Sequence, residues 1–254
     1  MNNNHLPVML NEVKSFIPIN RKINLIDATF GGGGYSKAIL KEFKIKNLIA
    51  IDRDPISNIF YKEIKKNYKN IELFNQKFSK IDELINNSKY SREKFDVIIF
   101  DLGISSNQID NPRRGFSFQN EGPLDMKMGL SGMNAFEVIN SFEEKKLADI
   151  FFEFGEEKFS RRIAKNIIIN RTKKSIDNTL ELSDIIKKSV PFSNSYKKIH
   201  PATKTFQALR IYINDELNEL KIALEKSEDL LAKDGLLIIV SFQSLEDRIV
   251  KDFF

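Results

Sequence analysis

Ile23-Asn24-Leu25-Ile26-Asp27-Ala28-Thr29-Phe30-Gly31-Gly32-Gly33-Gly34-Tyr35-Ser36 is the stretch on which the reading of this chain turns. Residues 23–26 form an apolar run with β-branched side chains, the composition of a strand. Four consecutive glycines follow. Ser36 then opens a helical pattern over residues 37–43. The glycines allow unusual backbone angles and leave no side chains in the way. A ligand can therefore approach the main chain and meet bare N–H groups at a helix N-terminus. A βα turn that bound nothing would need only a pair of glycines.

Outward from this unit the rhythm repeats. Upstream, residues 5–10 read as extended, and Asn11 is placed to cap a helix to about residue 16. Residues 47–52 are a second apolar run, ending in Asp52. Asp54 and Pro55 suit the cap and first turn of a helix reaching residue 67. Residues 71–74 are a third, weaker strand. Residues 95–101 are a fourth, and their continuous apolarity predicts burial on both faces. Strands alternating with helices imply right-handed crossovers and a parallel sheet.

The rhythm stops after residue 101. Residues 102–134 have no period, yet their aromatics and Gly122-Pro123-Leu124-Asp125-Met126 predict an ordered loop. A helical region is expected over 141–190, with Ser141 and Glu144 as a capping box. Pro191 and the polar residues 193–198 end it. Pro201 opens a long helix with an apolar stripe of Phe206, Leu209, Ile213, Leu217 and Leu220. Thr203, Gln207, Arg210 and Asn214 form its polar stripe. Gly235 ends the next turn, residues 236–242 make a fifth buried strand, and Ser244 starts a last helix.

Composition narrows the classes. The 254 residues suffice for one large domain, or a domain with an insertion. No run approaches the ~20 apolar residues of a membrane span, and the N-terminus lacks the pattern of a signal peptide. With no cysteine and two histidines, disulfides are excluded and no metal site is expected. A cytoplasmic protein is the expectation. The net charge of +5 fits a nucleic-acid partner, although a lysine-rich composition alone explains it as well.

In an open parallel sheet, ligands bind beyond the carboxyl ends of the strands. Asp27, Asp52 and Asp101 stand at three such ends. Asp52 follows the glycines at the offset where an acid meets ribose hydroxyls. The glycine pattern lacks the third glycine of a dinucleotide fingerprint, because Ser36 occupies its place. A nucleoside without a pyrophosphate, such as S-adenosylmethionine, is the better fit, and an NAD-dependent oxidoreductase the weaker alternative. Acceptors at 101–106 would orient an amine for methylation. Phe116 and Phe118 are candidates for base stacking or for core filling. His5 and His200 are lone histidines suited to turn or cap contacts.

These segments resemble one family nearly end to end. They are 5–12, 27–34, 51–54, 101–106, 114–118, 122–126, 200–210 and 241–251. Taken in order, they are similar to the bacterial small-subunit ribosomal RNA cytosine-N4 methyltransferases (RsmH/MraW). The resemblance implies a class I S-adenosylmethionine-dependent methyltransferase fold, a Rossmann-like α/β parallel sheet. It implies N4-methylation of a cytidine in the decoding region of 16S rRNA, with the small ribosomal subunit as partner. It implies a methyltransferase domain of residues 1–107 and 200–254, interrupted at 108–199 by a helical substrate-recognition insertion. Cofactor positions fall on Gly33, Gly34, Tyr35, Asp52, Phe78, Asp101 and Gln108, and Asp101 is the catalytic candidate. Arg113, Arg114, Lys204 and Arg210 are the candidate substrate contacts. Tyr35 and Gln243 each stand where the family usually has His, and Lys204 where Arg is common. The family continues several dozen residues further, with a basic stretch, so a truncated or short form is expected. An assembly protein that kept the fold and lost activity is the remaining alternative.

Overall fold

The computed structural model describes residues 7–191 and 199–254. His5 and residues 193–198 therefore lie outside the described residues. Five parallel strands form one sheet in the order β3-β2-β1-β4-β5. They are β1 (Ile23–Asp27), β2 (Ile45–Ile51), β3 (Ile71–Phe74), β4 (Phe95–Asp101) and β5 (Leu231–Val240).

Alternate strand residues feed two cores, because successive side chains point to opposite faces. Ile23, Leu25, Leu48, Ala50, Val97 and Ile99 face α1 (Leu10–Phe16), α2 (Gly34–Glu42) and α3 (Ser57–Asn67). Ile26, Ile49, Ile51, Ile98 and Phe100 face α4 (Ile81–Asn86), α11 (Glu216–Leu230) and α12 (Ser244–Phe253). Both faces of β1 and β4 are covered, which is why their sequences are mostly apolar rather than alternating. The expected burial of the fifth strand is only partial, because β5 is an edge. Its pairing jumps from Phe95↔Leu231 to Val97↔Leu236, so the turn expected before Gly235 is a bulge within the strand.

The chain divides into two compact units, one up to Ser105 and from Leu217 onward, the other Ser106–Glu216. The second unit holds α5 (Ser106–Ile109), α6 (Ala135–Ser141), α7 (Glu144–Gly155), α8 (Ser160–Arg171), α9 (Thr179–Ser189) and α10 (Thr203–Asn214). The return to the first unit comes at 216/217 rather than at 199/200, because α10 packs on α7. The long helix expected from Pro201 breaks at Asp215, whose φ of +53° closes α10. The expected Ser141–Glu144 box is replaced by one at Asn134 and Glu137 opening α6, and Ser141 ends that helix. Asn11 lies inside α1, after Met9. Asp54 accepts the Ile56 N–H in a turn, which delays α3 to Ser57.

The aperiodic loop before α6 is ordered, as expected. Leu124 and Met126 are fully buried. Arg114 donates its guanidinium to the Lys127 and Met128 carbonyls. Gly122 sits against the Pro112 carbonyl so closely that a Cβ there would lie 1.9 Å from the oxygen.

Candidate active site

The strand order places β1 between β2 and β4, so crossovers diverge from β1 and open a crevice at the carboxyl ends of these strands. Asp27 ends β1, Asp101 ends β4, and Asp52 directly follows β2. The three carboxylates expected from the sequence are therefore on one edge of three adjacent strands.

The glycine turn is built onto the same edge. Gly31 has φ +53° and donates its N–H to Asp52 Oδ2 at 2.6 Å. The other Asp52 oxygen accepts the Asp54 N–H at 2.7 Å. Gly33 has φ +75° and caps α2, and a Cβ there would meet Ile64 Cδ1 at 2.6 Å. A Cβ on Gly34 would meet Pro7 Cγ at 2.6 Å. Backbone angle and packing from behind therefore demand glycine here. The helix begins at Gly34, ahead of Ser36, and Ser36 Oγ donates to Asp27 Oδ2 at 2.6 Å.

Burial raises all three carboxyl pKa values. Asp27 and Asp52 are each pushed up to about 6, chiefly by desolvation. Asp101 is pushed up to about 7 by desolvation, then by the charges of Asp27 and Glu246. Oδ1 of Asp27 and Oδ1 of Asp101 are buried and accept no hydrogen bond from the described residues. The Asp101 N–H is held by Thr29 Oγ1 at 2.6 Å. The three carboxyls crowd the ends of adjacent strands, and two of them keep a buried oxygen without a donor among the described residues.

The profile of the MraW methylase family matches residues 2–254. The chain belongs to the MraW methylase family. A protein named ribosomal RNA small subunit methyltransferase H from Rickettsia bellii is 49% identical over 254 residues, covering 98% of this chain and 80% of its own. The protein of that name from Rickettsia felis is 48% identical, covering 100% of this chain and 81% of its own. The fold is thus that of a class I, Rossmann-like methyltransferase, and this MraW methylase is an enzyme of the methyl-transfer class. An oxidoreductase and an inactive assembly protein are not supported.

Family membership gives the remaining candidate residues their context. The Tyr35 side chain is buried and its hydroxyl donates to the Val8 carbonyl, so it pins the segment before α1. Phe78 follows β3 and meets the Phe100 ring edge-on, centroids 5.6 Å apart. Gln108 is buried on α5, in the second unit. Three of the four candidate cations have protein partners. Arg210 forms a bidentate pair with Glu216, both bonds 2.8 Å. Arg114 holds the loop carbonyls and lies over Phe116, and Lys204 donates to the Glu156 carbonyl. Arg113 is exposed. Phe116 is core, whereas Phe118 stacks on His200 at 4.6 Å.

Two residues were missed from the sequence. Thr29 looks like a turn residue but fixes Asp101. Glu246 looks like first-turn surface charge, yet it is buried, accepts the Phe242 N–H and the Gln243 amide, and acts on Asp101. The Gln243 amide donates to Glu246 Oε1 at 2.8 Å.

Proposed function

We propose that this MraW methylase transfers a methyl group from S-adenosylmethionine to the exocyclic N4 of a cytidine in the decoding region of 16S rRNA, in the cytoplasm. The unpartnered, buried Asp101 Oδ1 at the switch point carries the reading. A cationic, donor-bearing ligand satisfies the crowded carboxyls, whereas a pyrophosphate would be repelled by them. S-adenosylmethionine supplies an electrophilic methyl group on a sulfonium.

The chain's own residues divide the work. The main chain of Gly33, Gly34 and Tyr35 receives the methionine end. Asp52, already fixed by Gly31 and Asp54, accepts from the ribose diol. Phe78 packs beside the adenine, and Gln108 is a further contact by its family position. Asp101 Oδ1 accepts an N–H of the target amine. With a pKa near neutrality, it takes the proton that the amine sheds on methylation. The target base must be unstacked to reach it. A thiolate adduct to the base is excluded, since the chain has no cysteine. The second unit recognises the RNA, with Arg113, Arg114, Lys204 and Arg210 as candidate contacts, of which Arg113 presents an exposed side chain.

The test is methyl transfer to undermodified small subunits with mass mapping of the product nucleotide. N4-methylcytidine at one decoding-region position is expected. Tight S-adenosylhomocysteine binding without any methylated nucleotide would overturn the reading.

A further inference from the structure

Two groups of cations stand out in the second unit. Those named above are engaged by carbonyls, carboxylates or rings, apart from Arg113. A second group lies on and beside α8. From Lys158 to Lys174 the chain carries seven cations and no acid. Arg171 turns inward to the Ile139 carbonyl at 2.6 Å, and Lys174 pairs with Asp177. The other five, Lys158, Arg161, Arg162, Lys165 and Lys173, are exposed. None of them has a side-chain hydrogen bond, ion pair or ring contact among the described residues.

Helical periodicity puts Arg161, Arg162 and Lys165 on one side of α8, within one sector of the 100° per residue wheel, and Lys158 and Lys173 lie in the turns just before and after the helix. Ile163, Ala164 and Ile167 project the other way and are completely buried. The result is a charged face on a packed helix about 18 Å long, with Lys158 and Lys173 in the turns at its two ends. Five cations held together without counter-charges repel one another. Packing does not require them, because the apolar face alone docks the helix.

We propose that this face of α8 is an RNA-phosphate-binding surface that positions the substrate by its backbone. The proposal rests on the reading that RNA is the substrate, and it names where the backbone is gripped. Charge complementarity selects a polyanion. A membrane surface fits less well, since a helix lying in a bilayer needs its apolar face free and here that face is inside the protein.

The test uses the full chain with Arg161→Gln, Arg162→Gln and Lys165→Gln combined. A control carries Lys62→Gln, Lys66→Gln and Lys69→Gln, which removes equal charge from exposed sites on the first unit. Binding to small subunits and to a naked decoding-region RNA is measured against salt, alongside kcat and KM. The α8 variant should lose about 2–3 from the slope of log K against log salt, at about 0.7–0.9 per phosphate contact. Its KM should rise at least about tenfold with kcat and thermal midpoint unchanged, while the control keeps the wild-type slope. A wild-type slope in the α8 variant, or an equal loss in the control, overturns the proposal. So does loss of subunit binding with naked-RNA binding intact, which would mark a ribosomal-protein contact. Loss of binding to phosphatidylserine vesicles alone would assign the face to a membrane. If the wild type methylates no RNA yet shows the α8-dependent slope, the surface stands and the functional reading falls.

Discussion

The Gly31 N–H and Asp52 Oδ2 are 2.6 Å apart, so the turn after β1 and the acid after β2 form one hydrogen-bonded piece. Asp52→Ala removes both this brace and the proposed ribose acceptor. A charge-assisted pair of hydrogen bonds corresponds to about 1.5–3 kcal/mol, so affinity for S-adenosylhomocysteine should fall about 10- to 100-fold by calorimetry. Unchanged affinity would refute the ribose assignment.

Asp101 must be ionised to accept a proton, and its carboxyl is pushed up to about 7. The methyl-transfer rate should therefore rise with pH through that value. Asp101→Asn should lose this limb and about 10²- to 10⁴-fold in kcat. If the variant instead loses cofactor affinity and keeps its pH profile, Asp101 serves the cofactor alone.

Asp27 shows how the site's electrostatics act on stability. Its pKa moves from 3.8 unfolded to about 6 folded, so the native state holds a proton that the unfolded chain releases. That contribution is fully present below about pH 4 and is lost as pH rises through about 6. Asp52 and Asp101 act in the same direction. Asp27→Asn keeps an acceptor for Ser36 and removes the titration. Urea midpoints should show the variant gaining on wild type as pH climbs from about 4 to 7.

Asn214 is buried, takes the Met128 N–H on its side-chain oxygen at 2.8 Å, and donates to the Met126 carbonyl at 2.8 Å. Asn214→Ala leaves two buried main-chain groups unpaired. A loss of about 2–4 kcal/mol is expected, read as a lower denaturation midpoint. A loss within about 0.5 kcal/mol would mean that water replaces the amide.

Asn214 also marks a limit of the sequence. Helical spacing puts it in line with Thr203, Gln207 and Arg210, which reads as a wet stripe. Only the tertiary fold brings the Met126–Met128 backbone against it. The same cause hid Thr29, which accepts from the Asp101 main chain, and the burial that sets Glu246 near Asp101. Ser141 misled differently. Asn134 and Glu137 have the same spacing as Ser141 and Glu144, and an unbroken apolar period offers no ground for choosing. By contrast, β3 and β4 were legible to the residue, because the apolar run 97–100 is sharply bounded by Asp96 and Asp101. The acids at the strand ends were legible because parallel topology converts position in a strand into position at a crevice. What Arg114 and Arg210 do was not, since a cation's partner depends on which carbonyl or carboxylate the chain folds back to present.

The glycine turn has a kinetic consequence. Gly31 is tethered by Asp52, Gly33 is wedged against Ile64 and Phe30, and Gly34 lies on Pro7. Four successive glycines in a free chain would surrender a great deal of backbone entropy on meeting a ligand. Here that freedom is removed when the protein folds. Association should therefore need no ordering step at this loop, and differences in affinity among nucleoside ligands should appear in how fast they leave.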